Sequence, residues 1–377
     1  MAYGTVNADV IGTSVAGSNI GAGNASAMKN RIINGAMVID QRNAGASLSI
    51  QTSNPTYTLD RWGAGATQNS KFTVQQNAGS VTTPVGFNNY LGCTSSSAYS
   101  IVAGDYFYVG QRIEGFNTAD LGWGTANAKT ITLSFQVYSS LTGTFGGAIG
   151  NNAYSRTYPF TYSIPVANTW TSISVTIAGD TSGTWVGATN GIGLSVYFGL
   201  GVGTTNSGTA GSWSASGYIS ATGATSVVGT NGATFYITGV QLEVGSSATG
   251  FEYRQYGTEL NLCQRYYEKS YDYGTKPGTV ATSGYLWNYV GFSVGSATDV
   301  GTSAIFKLSK RAVPTMTYYS PDTGASGKVS MCDSSGNASD TNSLSAGINE
   351  NMAMIYGSRT TSVNAQIRVH WVASAEL

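Results

Sequence analysis

The sequence predicts an all-β protein: a large jelly-roll-like β-sandwich, then a smaller C-terminal β-sandwich, with one short helix at the junction. Three observations lead there. Apolar and polar residues alternate at period two, most clearly where Ile131, Leu133, Phe135 and Val137 interleave with Thr132, Ser134, Gln136 and Tyr138. A strand patterned this way buries one face and wets the other, as in antiparallel sheets packed in pairs. Turns of Gly, Ser, Thr and Asn separate runs of aromatic and β-branched residues, the habit of short strands. Just past Gly257 the spacing changes to three and four, through Leu260, Cys263 and Tyr267, which is helical.

In chain order, residues 1–29 are rich in Gly, Ala, Ser and Asn with isolated Val and Ile. Such a segment cannot bury a core and is expected to be an extended arm, ordered only against a partner. Residues 30–253 make the expected large sandwich. Its strands are expected over 32–40, 57–62, 71–76, 106–114, 131–138, 172–177 and 194–198, with a closing strand from Phe235. That strand sets Phe235 and Ile237 on one face, after which the apolar phase switches to Val240, Leu242 and Val244. A one-residue slip turns a strand's side chains over, so Gly239 marks a β-bulge or sharp kink. Gly-rich stretches at 142–152, 179–191 and 199–232 read as loops, the last of a length usually reserved for function.

Residues 254–377 make the expected C-terminal sandwich. A helix near 258–270 opens it, capped by the Thr258 hydroxyl, with Glu259 at the positive end of the dipole. Gly257, Thr258, Leu260, Cys263 and Tyr267 therefore mark the domain junction, and the Tyr266–Tyr267 pair beside Arg265 is its packing seam. Strands are expected around 284–294, 304–308, 315–319, 352–356 and 365–372. The last should turn Ile367, Val369 and Trp371 inward and Arg368 and His370 outward. No fixed-period repeat is present, which disfavours a solenoid.

Charged residues are only 10% of the 377, while Gly numbers 50 and Tyr 24. Low charge and abundant aromatic residues exclude disorder. Eighteen basic and 18 acidic residues leave a net charge of +0, which excludes the basic footprint of a nucleic-acid binder. The same neutrality favours association and suits a subunit inside an assembly. Cys93, Cys263 and Cys332 are odd in number and far apart, so neither a disulfide framework nor a zinc site is expected. No run nears the ~20 apolar residues of a membrane helix, and no secretory signal is visible. Synthesis in a cytoplasm, without membrane insertion, is the expectation.

Catalytic groups are scarce. His370 is the only histidine and is expected on a wet strand face, so no Ser-His-Asp or Cys-His relay and no His-rich metal site follow. Asp180, Asp322, Asp333 and Asp340 stand in turn contexts, where Asp serves the backbone. Asp60 and Glu243 lie in strand-like segments that can approach each other. An ion pair of Asp60 with Arg61, or a Ca²⁺ site, fits them better than two-carboxylate hydrolysis. The chain is read as no enzyme, with no cofactor; a structural Ca²⁺ is left open. Sugar binding has better material, because aromatic faces stack on sugar C–H surfaces. Trp185, Trp213 and Tyr218 lie in the polar loops, and Tyr285, Trp287 and Tyr289 in the second domain. The alternative for each is to fill a loop core or a contact between chains.

Three sets of segments carry a family resemblance. GVQLEVGSSATGFEYRQYGTELNLCQRYYEKS spans residues 239–270, KNRIINGAMVIDQRNAG spans 29–45 and is followed by YTLDRW at 57–62. FKLSKRAVPTMTYYSPDTG at 306–324 and VHWVASAEL at 369–377 complete the set. Together they resemble tail-fibre and minor tail proteins of tailed bacteriophages, those of cyanobacterial phages included, and the large sandwich resembles carbohydrate-binding jelly rolls. The resemblance implies a virion tail fibre or receptor-binding protein. It further implies a homotrimer attached to tail or baseplate proteins through its N-terminal arm and binding host surface polysaccharide. The alternatives are a tailspike glycan hydrolase and a purely structural head-fibre, baseplate or minor tail component. The matching strings are structural signatures rather than catalytic ones.

Overall fold

The computed structural model describes residues 28–52, 55–290, 298–333, 336–359 and 365–377. The arm expected over 1–29 falls outside them as far as residue 27. The described chain is all-β, with a single α-helix.

Two six-stranded antiparallel sheets make the large sandwich. The first runs Leu48–Ser49, Phe72–Gln76, Leu91–Ser95, Thr234–Val244, Ile131–Ser139, Thr171–Ile177. The second runs Thr56–Tyr57, Gly63–Ala66, Tyr106–Glu114, Ile192–Val202, Gly143–Gly150, Thr157–Ile164. Neighbours distant in sequence give the jelly-roll-like order: Thr234–Val244 lies between Leu91–Ser95 and Ile131–Ser139. The alternating residues do as expected, with Leu133, Phe135 and Val137 buried in one core with Leu194, Val196 and Phe198. Phe135 meets Phe198 edge to face at 5.0 Å, a favourable ring geometry.

The phase switch at Gly239 is a true bulge. The register against Ile131–Ser139 slips between Thr238 and Gln241, and Gly239 has φ 61°, a region that costs a side-chain-bearing residue but not glycine. A Cβ there would also lie 2.6 Å from the Phe87 ring.

Several expected elements differ. Residues 32–40 form a buried, irregular segment instead of a strand. Asn34 replaces the missing ladder: its Oδ1 accepts from Ile39 N at 3.0 Å, and its Nδ2 donates to Ile39 O at 2.8 Å and Asp60 O at 3.0 Å. The 57–62 strand stops at Tyr57, where a turn with Arg61 at φ 69° intervenes. The stretch 142–152, expected as a loop, is largely the strand Gly143–Gly150. Its glycines suit close approach, since a Cβ on Gly147 would meet Tyr197 O at 2.3 Å and the Phe160 ring at 2.5 Å. The mostly buried strand Lys328–Cys332 and the mostly exposed polar strand Ala338–Ala346 were not expected at all.

The C-terminal strands form one eight-stranded sheet with Ala365–Ser374 as its spine. Tyr267–Lys269 and Leu286–Val290 pair along one edge of the spine, Thr315–Tyr319 and Lys328–Cys332 along the other. The order continues through Ala338–Ala346 and Met352–Arg359 to Thr298–Ile305, which comes back against Leu286–Val290. The two halves thereby sandwich a second core, including Val329, Met331, Ile355, Ile367 and Val369.

The helix spans Tyr256–Gln264, so Gly257 and Thr258 lie inside its exposed first turn and Thr258 is not the cap. Glu259 does sit in that turn, but buried, where it accepts from the Asn34 backbone N–H. Cys263 and half-buried Leu260 pack against Ile33, Ile39 and Tyr266, while Tyr267 has passed into the next strand. Around this helix, segments from the start, middle and end of the chain meet in buried ion pairs. Arg42 and Arg61 both reach Glu376, and their guanidinium carbons sit 3.9 Å from the Tyr267 ring centre and 3.6 Å from that of Tyr266. Glu114 takes Arg265 Nη2 at 2.6 Å and Tyr266 Oη at 2.6 Å, and Lys310 Nζ meets Glu268 at 2.5 Å. Asp60 does not pair with Arg61; it accepts from Gln41 N and Gln41 Nε2, each at 2.7 Å.

Burial raises the Asp60 carboxyl from 3.8 to about 6, against the pull of Arg42 and Gln41. A folded-state value above the unfolded one means the native protein holds a proton that the unfolded chain has released. That stability is complete below about pH 4 and is lost as pH rises through about 6. In urea titrations, the wild type should therefore gain about 1 kcal/mol relative to Asp60→Asn between about pH 7 and about pH 5. Parallel stability curves would show that the carboxyl titrates alike in both states.

Candidate functional site

The outer face of the C-terminal sheet collects exposed rings. In the strand Leu286–Val290, Leu286 packs toward the core, and the alternating residues turn outward. Trp287 is 61% and Tyr289 49% exposed; Tyr285, just before the strand, is half-buried and edge-on to His370 at 6.0 Å.

Register aligns these rings with polar side chains. Trp287 opposes Arg368, Arg368 opposes Ser330, and Ser330, itself buried, opposes Asp340, so one register row crosses four strands. At the usual strand spacing that row is roughly 14 Å long. Tyr289 opposes Gln366 in the next row. The Arg368 guanidinium is steadied by Cys332 Sγ, 2.9 Å from Nε, and by Asp322 Oδ1, 3.5 Å from Nη1. Ser330 Oγ donates to Asp322, and Thr323 Oγ1 to Asp340. A guanidinium has five N–H donors, more than these contacts use. The arrangement offers a flat aromatic face beside a fixed cation, carboxylates and an amide. It can hold a polar ligand with apolar faces.

His370 is fully buried, not on a wet face as expected. It does point away from the core, but the segment after Tyr267–Lys269 covers it. The Tyr271 ring stacks on it at 3.7 Å, Nδ1 lies 3.0 Å from Ser270 Oγ, and Nε2 lies 3.1 Å from Ala281 O. Burial lowers its pKa below the ordinary histidine value. Asp60 and Glu243 belong to separate networks: Glu243 accepts from Gln241 Nε2 and Thr249 N, each at 2.8 Å. Asp180 is tied by two bonds of 2.7 Å to Arg156. Among the described residues, no group of three or more His, Cys, Asp or Glu gathers to hold a metal ion.

Trp185 and Trp213 join Trp123 in a three-ring cluster with centres 4.7 to 5.6 Å apart. Each indole N–H is engaged within the protein: Trp123 with Lys129 O, Trp185 with Ser182 O, Trp213 with Ala178 O. The cluster packs against the main core at one end of the sandwich. Tyr218 lies over Gly208, whose Cβ would be 2.3 Å from its ring. The structure thus places these three in loop packing and Trp287 and Tyr289 in the open. Trp123 stands in a Gly-flanked loop like Trp185, a signal equally present in the sequence.

No family model matches the chain, and no curated protein matches it. Among solved structures, one similar chain is the enzymatically active domain of tailspike protein 4 from bacteriophage CBA120, at 13% identity and a TM-score of 0.32; the match covers 58% of this chain and 22% of that one. Another is the family 11 carbohydrate-binding module from Clostridium thermocellum, at 11% identity and a TM-score of 0.26, over 54% of this chain and 98% of that one. A third is the N-terminal cellulose-binding domain of a Cellulomonas fimi β-1,4-glucanase, at 14% identity and a TM-score of 0.23, over 53% and 99%. Likenesses this distant transfer no function to the present chain.

Proposed function

We propose that this chain is a virion appendage subunit of the tail-fibre type that binds a host surface polysaccharide through its C-terminal sheet, without cleaving it. The single observation that carries the binding role is the exposed pair Trp287 and Tyr289 standing opposite half-buried Arg368 and Gln366. An exposed indole provides a stacking surface for a sugar ring, and the flanking polar groups match its hydroxyls. The family resemblance of the junction segments supports the virion role. In this reading residues 1–29 attach the protein to the particle, 30–253 form the sandwich, and 254–377 face the ligand. Ile305 and Leu344, 75% and 51% exposed on the same sheet, are uncharged surface suited to neighbouring copies in a homotrimer.

The test is an array of bacterial surface polysaccharides probed with labelled protein. Wild type should bind at least one glycan, and Trp287→Ala should weaken that binding at least about tenfold with an unchanged melting temperature. Absence of binding by the wild type would leave a purely structural role. New reducing ends in the glycan would make the protein a hydrolase.

A further inference from the structure

The outer face of the first sheet of the large sandwich carries an open trough of about 440 Å³. Its bed is a polar ladder from two adjacent strands, in which Ser172 opposes Gln136 and Ser174 opposes Ser134. Gln136 Nε2 lies 2.8 Å from Ser172 Oγ, and Ser172 Oγ lies 3.0 Å from Gln136 Oε1, so the amide and hydroxyl are held in place. One wall is an aromatic triad of Phe87, Phe251 and Tyr253, with ring centres 4.9 to 5.5 Å apart. Tyr253 is 59% exposed, and its hydroxyl is fixed on Gly86 O at 2.6 Å.

The bulge at Gly239 belongs to this trough. Gly239 lines it, and its missing side chain is what allows the Phe87 ring to close in. Bulges often serve to re-aim side chains beside binding sites. The decisive feature is charge: none of the residues lining the trough is Lys, Arg, Asp or Glu. Groups that would pair with a phosphate or carboxylate are missing from the lining, while rings, hydroxyls and an amide match an uncharged sugar.

We infer that the trough is a second glycan site, specific for a short stretch of neutral polysaccharide, separate from the charged row at Trp287. Cross-strand side chains about 5 Å apart and same-strand ones about 7 Å apart are on the scale of successive sugar residues along a glycan. The ring wall stacks on one sugar while the ladder reads the next. The inference rests on the reading of this chain as a glycan binder, but it concerns different residues.

The experiment is calorimetric titration of the full chain with neutral hexasaccharides: cellohexaose, xylohexaose, maltohexaose, laminarihexaose and mannohexaose. At least one should bind. Tyr253→Ala should weaken it at least tenfold, and Ser174→Trp, which fills the trough from an exposed strand position, should abolish it. Trp287→Ala should leave it unchanged, as should raised salt. The inference is overturned if none of the five binds, if both trough variants bind like wild type, or if Trp287→Ala removes the binding. Array binding that still depends on Trp287 would, in those cases, leave the function proposed above standing.

Discussion

Glu376→Ala is expected to lower the unfolding free energy by about 3–5 kcal/mol, the range for stripping one partner from a buried ion pair. Glu376 is the shared counter-ion of Arg42 and Arg61, whose side chains are 11% and 1% exposed. Neither guanidinium can escape by losing its proton, because arginine stays charged at any ordinary pH. Removing the carboxylate therefore leaves two cations in a site that holds water out. Cation–π contacts with Tyr266 and Tyr267 remain, but each offsets only about 0.5–2 kcal/mol. The check is a urea midpoint with its slope: a lower midpoint at constant slope is a stability loss in the native state. A change under about 1 kcal/mol would mean that solvent reaches the junction.

Trp62→Ala should cost a similar amount, about 3–5 kcal/mol, by emptying part of the main core. Trp62 is fully buried, its ring lies 6.4 Å from that of Phe198, and its Nε1 donates to Asn34 O at 3.0 Å. The substitution removes both the packing and a bond to the residue that organises the 32–40 segment. Trp62→Phe restores most of the volume and should lose only the bond, about 1 kcal/mol. Equal losses for the two variants would mean that the hydrogen bond, not the ring, is what matters. The exposed Trp287, by contrast, should affect binding and leave stability alone, so the two tryptophans separate fold from function.

Residues from the start, middle and end of the chain meet at the helix junction. Asn34, Arg42, Arg61, Trp62, Glu259, Arg265, Glu268, Lys310 and Glu376 all act at or beside the helix junction. Their role there is to join the two cores.

The all-β class, the alternating strands and the bulge at Gly239 were readable in the sequence, because period two is a local property of a few consecutive residues. The polar strand Ala338–Ala346 had no such fingerprint, and in Lys328–Cys332 the alternation rests on Val329 and Met331 alone, too short a run to stand out. His370 read correctly as facing away from the core, but a covering segment about 90–100 residues away in sequence buried it. The shared carboxylate of Glu376 lies 334 residues from Arg42, and the trough draws its wall and its bed from segments far apart in the chain. Contacts of that reach are set by how the sheets close on one another. The sequence by itself determined which faces are wet and which are dry; the tertiary structure alone decided which wet faces were then covered, because packing between distant segments leaves no periodic trace along the chain.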